Sequence, residues 1–118
     1  MIPSMIKAGV LALEERMKGY TSVILFPRMD LWAGVAKELS AAMGGGDYFS
    51  NPFEGIYVRF SSNRCSLTTL RVDTLIIVEP ALCDEEGMCM AVNHLLFMSR
   101  HQVVYHVFED GTHERWEI

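Results

Sequence analysis

No stretch of this sequence holds the ~20 consecutive apolar residues of a membrane-spanning helix, although half of its 118 residues are apolar. Basic residues are scarce as well. Ten lysines and arginines stand against fifteen aspartates and glutamates, for a formal net charge of −5. With no basic stripe, unaided binding to a nucleic-acid phosphate backbone is not expected. Cysteines are few and odd in number, at Cys65, Cys83 and Cys89. That fits a reducing cytoplasm better than a disulfide scaffold. Cys83, Cys89 and His94 follow a C-x5-C-x4-H spacing that matches no common zinc pattern. On one helix the two cysteines would stand about 600° apart in rotation and point different ways. They read as half-buried thiols, and no metal is expected. The opening "MIPSMIKAGVLALEERM" is not a signal peptide by its pattern: Glu14, Glu15 and Arg16 interrupt the apolar part, and no small-residue cleavage site follows.

What is present is apolar content in a length that makes one domain, 1–118, with one core. A domain this small has much surface to cover with polar groups. The excess of apolar residues implies a surface buried against another protein or a second copy.

Along the chain, apolar periodicity predicts a helix over residues 4–18. Met5, Ile6, Val10, Leu11, Leu13 and Met17 form the inner face, and Lys7, Glu14, Glu15 and Lys18 fill the other. Ser4 is placed to cap its start and Gly19 to stop it. "SVILF" (22–26) reads as a strand covered on both faces. "DLWAGVAKELSAAM" (30–43) predicts a second helix, capped by Asp30 and ended by Gly44-Gly45-Gly46, and a loop follows it. The glycine triplet is no phosphate cradle, because it follows a helix instead of opening one. "IYVRFSS" (56–62) alternates, as a strand with one less-buried face does. "NRCSLTTLR" (63–71) is a turn, and "TLIIV" (74–78) is the most apolar strand and the expected centre of the sheet. "CDEEGMCMAVNHLLFMSR" (83–100) predicts a third helix with acids in its first turn. "QVVYHVFED" and "HERWEI" flank Asp110-Gly111, a two-residue hairpin signal. The sum is an α/β fold: a mostly parallel sheet flanked by helices, with a C-terminal β-hairpin at one edge.

This order resembles the nucleotide-binding core of P-loop motor ATPases, especially helicases and phage terminase large subunits. Residues 4–26, a helix and then "SVILF", resemble the helix after the phosphate loop and the next strand. "FPRMDLWAGVAKEL" resembles the family's segment with a proline and two spaced leucines, and "GIYVRFSSNRCSLTTLRVDTLIIVEP" resembles the approach to the Walker B strand. The resemblance covers about residues 4–100 and implies a phage or mobile-element origin. The departures bear on activity. A phosphate loop needs glycine-rich backbone, a lysine and a Ser/Thr hydroxyl, and G-x-x-x-x-G-K-[ST] occurs nowhere in the sequence. Only "MIPS" precedes the first helix, where that loop is expected. The family ends its Walker B strand Asp-Glu, with the first acid serving magnesium. Here Val78 and Glu79 occupy those positions, and a valine cannot ligate a hard cation. The resemblance implies that Glu79 is a vestigial acid. The alternative is an ordinary strand-end acid in an unrelated α/β fold.

Other candidate residues carry weaker signals. His106 and His113 flank the hairpin turn; they read as two polar strand residues facing water, the alternative being a cross-strand pair that binds metal or senses pH. Cys65, after Arg64, is the least unattractive nucleophile and has no flanking signature. Met88, Met90 and Met98, with Leu95, Leu96 and Phe97, make the third helix apolar nearly all round. Such a helix is buried on more than one side, and methionine adapts to varied partner surfaces. Core packing alone is one explanation of such a helix; the other is a dimer or partner face, whose interface residues are then Met88, Met90, Phe97 and, on the last strand, Trp116.

The sequence thus reads as a non-catalytic cytoplasmic interaction protein, an inhibitor or assembly factor. It is expected to bind a protein partner or its own copies, without cofactor, direct nucleic-acid contact or membrane. The alternative is a nucleotide-binding or ATPase-like subunit whose phosphate site is divergent or supplied by a partner.

Overall fold

A computed structural model describes residues 3–27 and 55–118. Within them, helix α1 (Pro3–Met17) leads into strand β1 (Ser22–Phe26). Strand β2 (Ile56–Phe60), a 3-10 turn (Arg64–Thr68) and strand β3 (Thr74–Val78) follow. A second 3-10 turn (Pro80–Leu82) precedes helix α2 (Glu85–Met90), which runs on as a π-helical turn (Ala91–Leu95). Strands β4 (Val103–Val107) and β5 (His113–Glu117) close the fold as a hairpin. The expected helix over 30–43 and the loop after it lie outside the described residues.

The five strands form one sheet in the order β2-β1-β3-β4-β5. The first four are parallel and β5 is antiparallel. The expected α/β class, the central place of 74–78 and the edge hairpin are all observed. The continuous apolar runs have a direct structural reason. Ile24, Phe26, Ile76 and Val78 point to α1, whereas Val23, Leu25, Leu75 and Ile77 point to α2, so both faces of β1 and β3 are core.

Three details depart from the periodicity reading. The first is the face that α1 buries. Its buried stripe is Met5, Ala8, Leu11, Ala12 and Glu15, with Ser4 beside it, while Ile6, Val10 and Met17 are exposed. Ala8 and Ala12 are fully buried, and their small side chains let the helix backbone settle onto the sheet. Ser4 lies inside the first turn, buried, and does not cap it. The stop at Gly19 is as expected: its φ is +90° and its N–H donates to the Arg16 carbonyl.

The second departure is α2, which ends earlier than expected. Asp84 is its N-cap, accepting from the Gly87 N–H at 3.2 Å. The widened π turn then brings Ala91, Leu95 and Leu96 all onto the sheet. Phe97 and Met98 fall beyond the helix, exposed, with Met98 at φ +66°.

The third is the hairpin turn, which has three residues instead of two. Phe108 N–H donates to the Thr112 carbonyl and Gly111 N–H to the Phe108 carbonyl, with Gly111 at φ +88°. Asp110 fixes this form by accepting from both the backbone N–H and the hydroxyl of Thr112. The register pairs His106 with Glu114 and Val107 with His113, so the two histidines face opposite sides of the sheet. They do not form a cross-strand pair.

Candidate functional site

Parallel strands bring their carboxyl ends to one side, and in open α/β sheets that side is where ligands bind. Here β3 ends at Val78, whose side chain is 1% exposed and belongs to the core under α1. The next residue, Glu79, continues the ladder by donating its N–H to the Val107 carbonyl at 2.8 Å. It then turns the chain in a left-handed conformation, φ +49° and ψ +65°, directly before Pro80. A side chain there is disfavoured sterically, and a residue before proline ordinarily stays extended.

This turn forms one wall of a cleft of about 370 Å³ lined by Glu79, Pro80, Ala81, Leu82, Phe108 and Glu109. A wider groove lined by Phe108, Glu109, Asp110 and Thr112 adjoins it. Partial burial pushes the Glu79 carboxyl above its ordinary pKa, and the neighbouring Glu109 charge pushes it further. Among the described residues the cleft thus combines a mostly apolar lining with two acidic side chains.

The thiols do not supply a nucleophile at this end. Cys83 donates to the Val78 carbonyl at 3.5 Å. Burial pushes its thiol up to about 11, and the charges of Glu79 and Asp84 add to this against a hydrogen bond with Ser61. It therefore stays protonated at neutral pH. Cys65 is exposed, but Arg64 is turned away onto Asp84 and Glu86. No group of three or more histidine, cysteine or acidic side chains positioned for a metal occurs among the described residues.

At the opposite, amino-terminal end lies a polar cluster that the periodicity reading assigns to the wet face of α1. Glu15 is 1% exposed. Its carboxylate accepts from the Tyr105 hydroxyl at 3.1 Å and the Thr74 hydroxyl at 3.3 Å, and lies 3.0 Å from His101 Nε2. The Tyr20 ring stacks on His101 with centroids 3.6 Å apart. Beside it, Asp73 accepts from Ser99 Oγ at 2.7 Å and from the Thr21 N–H and hydroxyl. Burial works against the Asp73 charge, but the bonds from Ser99 and Thr21 outweigh it and hold the carboxyl below its ordinary pKa. These contacts tie α1, β3 and β4 together, and we assign them to the scaffold. One signal was available in the sequence: Glu15 stands at i+7 from Ala8 and i+4 from Leu11, on the stripe that is buried.

The other expected site residues do not converge on Glu79. Met88 and Met90 are half-buried and pack against the core on the α2 side of the sheet. Phe97 is 56% exposed, with the Arg71 guanidinium 5.6 Å from its ring centre. Trp116 is 43% exposed and edge-on to His106, and it pairs with Val104 near the start of β4, away from the strand ends that form the cleft.

The left-handed turn makes a measurable prediction. Glu79→Gly is expected to raise stability by about 1 kcal/mol. The relief of a left-handed side chain is about 1–2 kcal/mol, and the added freedom of the unfolded chain offsets part of it. Glu79→Gln tests the charge separately. A raised folded-state pKa means that ionised Glu79 costs the folded state, a cost absent below its unfolded pKa and developed as pH rises through the folded one. The glutamine variant should therefore melt higher than wild type at neutral pH and level with it near about pH 3.5. Equal melting temperatures at both pH values would show that neither burial nor the Glu109 charge disfavours this carboxylate.

No family model, curated protein or solved structure matches the chain.

Proposed function

We propose that this protein is a non-catalytic α/β interaction module that acts by binding another protein at the carboxyl end of its sheet. The observation that carries this reading is the character of the cleft. Among the described residues it is lined by the apolar side chains of Pro80, Ala81, Leu82 and Phe108, with Leu82 58% exposed, and by the carboxylate residues Glu79 and Glu109. A nucleotide would bring phosphates against two carboxylates that already repel each other. The residue where the resemblance to motor ATPases calls for a magnesium acid is a valine committed to the core. A mostly apolar cleft that also carries two acids fits a protein surface instead, where packing supplies affinity and charge supplies selectivity. A phage or mobile-element origin, with a role as an inhibitor or assembly factor, is part of the same reading and rests on the resemblance alone.

The test has two arms. Calorimetric titration with magnesium ATP is expected to show no binding at micromolar concentrations. Magnesium-dependent binding in that range, lost in Glu79→Ala, would replace this reading by that of a nucleotide-binding subunit. In the second arm a photo-crosslinking residue is placed in cells at Leu82 and, as a control, at Glu14 on the exposed side of α1. A discrete protein adduct is expected from position 82 and not from position 14. Equal labelling from both would overturn the assignment of the cleft.

A further inference from the structure

Strand β5 is exposed along its whole length and has β4 as its only sheet neighbour among the described residues. Which of its backbone groups are free follows from the ladder. Phe108 N–H donates to the Thr112 carbonyl and Ile118 N–H to the Gln102 carbonyl. With Val104 opposite Trp116 and His106 opposite Glu114, the even-numbered residues of β5 direct their backbone groups to β4. The N–H and C=O groups of His113, Arg115 and Glu117 therefore point outward, and such a row is a template for another strand.

The side chains along this edge select the strand that fits. We propose that β5 pairs antiparallel with β5 of a second copy, with Trp116 on the two-fold axis. This surface is separate from the cleft and independent of its reading. When two copies join edge to edge about an axis normal to the sheet, each residue must oppose one on the same face. The two opposed positions then sum to an even number, and few registers remain. Centring on Glu114, Arg115 or Glu117 sets that residue against its own copy, like charge against like. Centring on His113 carries the pairing into the turn at Gly111. Centring on Trp116 sets Arg115 opposite Glu117 of the second copy, twice, and Trp116 against Trp116.

This register also satisfies the backbone. Arg115 and Glu117 are outward-facing positions, so each opposed pair exchanges both of its N–H···O bonds, four in all. The tryptophans then fall at a non-hydrogen-bonded pair, where side chains approach most closely. Arg115 is already held at this edge by Glu117 of its own strand at 2.9 Å and lies 5.9 Å from the centre of the Tyr105 ring. Dimerisation would complete a ring of four alternating charges. The contact is short, so the dimer is weak and concentration-dependent.

Charge reversal tests both the contact and its register. Sedimentation of the full chain across concentrations up to about 1 mM is expected to show a monomer–dimer equilibrium. Arg115→Glu alone and Glu117→Arg alone should each weaken the dimer about tenfold or more, since both symmetric pairs become repulsive. The double variant, Arg115→Glu with Glu117→Arg, should restore it, because the opposed pairs become attractive again. Trp116→Ala should weaken the dimer with either charge arrangement. Unfolding curves for each variant exclude loss of fold, and restoration in the double variant excludes it independently. A strict monomer at 1 mM would overturn the proposal, as would a dimer indifferent to the single reversals. Single reversals that weaken the dimer without rescue in the double variant would overturn this register.

Discussion

Glu15→Ala is expected to cost about 3–5 kcal/mol, the range for removing one partner from a buried charged network. The loss is large because of what remains. Thr74 is fully buried, so its hydroxyl cannot turn to water once the carboxylate has gone, and Tyr105, 6% exposed, keeps only its bond with Arg115. His101, which has some exposure, can find water but loses the group that holds it under Tyr20. The three partners stand 59 to 90 residues away from Glu15 in sequence, so the damage spreads to the junction of α1 with β3 and β4. Glu15→Gln keeps one carbonyl oxygen for these donors and should cost less than half as much. Urea unfolding of the two variants measures the difference. A change under about 1 kcal/mol for Glu15→Ala would mean that the network is not a tie between elements.

Strands were the most legible part of the fold because two-sided burial leaves an unambiguous trace. SVILF and TLIIV have no polar residue after their first position, and no helix of five residues could explain their length and branching. The antiparallel edge was legible from Asp110-Gly111, although the bonds that Thr112 donates to the Asp110 carboxylate turned a two-residue expectation into a three-residue turn. Helix faces were less legible. The buried stripe of α1 rests on Ala8 and Ala12, which carry little hydrophobic signal, while Ile6, Val10 and Met17 carry much and stay exposed. In α2 a regular 100° step sends Leu95 and Leu96 in different directions, and only the π turn reconciles them.

The candidate site was half legible. Glu79 stood out as the single acid ending the most apolar strand. Its companion Glu109 did not, because their approach depends on β4 lying beside β3, and that neighbour relation is not written in either segment. The left-handed backbone at Glu79 had no sequence signal either, since glycine or asparagine is the usual marker of that conformation. Of the polar cluster only Glu15 left a trace, by its place on the stripe of Ala8 and Leu11; its partners Thr74, His101 and Tyr105 meet it only once the sheet order is known.

Gly87→Ala reverses the usual sign of a helix substitution. Gly87 lies inside α2, where alanine is ordinarily favoured by about 1 kcal/mol. Here the helix is seated on the turn after β2, and a Cβ at position 87 would lie 2.1 Å from the Ser61 carbonyl oxygen and 2.9 Å from its carbon. Those are backbone atoms, and the backbone around them is anchored. Ser61 N–H donates to the Phe26 carbonyl at 2.8 Å, and its hydroxyl donates to the Pro27 carbonyl and accepts from the Asp84 N–H. Ser61 cannot retreat without releasing β2 from β1, so the helix must. Its retreat breaks the Asp84–Ser61 bond and lifts Met88, Ala91 and Leu95 from the sheet. A destabilisation of about 3 kcal/mol is expected, the upper part of the overpacking range, with a fall in melting temperature of roughly 10 °C. Glu85→Ala, two residues earlier on the exposed side, serves as the control and should stay within about 0.5 kcal/mol. If Gly87→Ala melts at or above the wild-type temperature, α2 does not rest on the Ser61 turn, and the close approach that requires a glycine there is wrong.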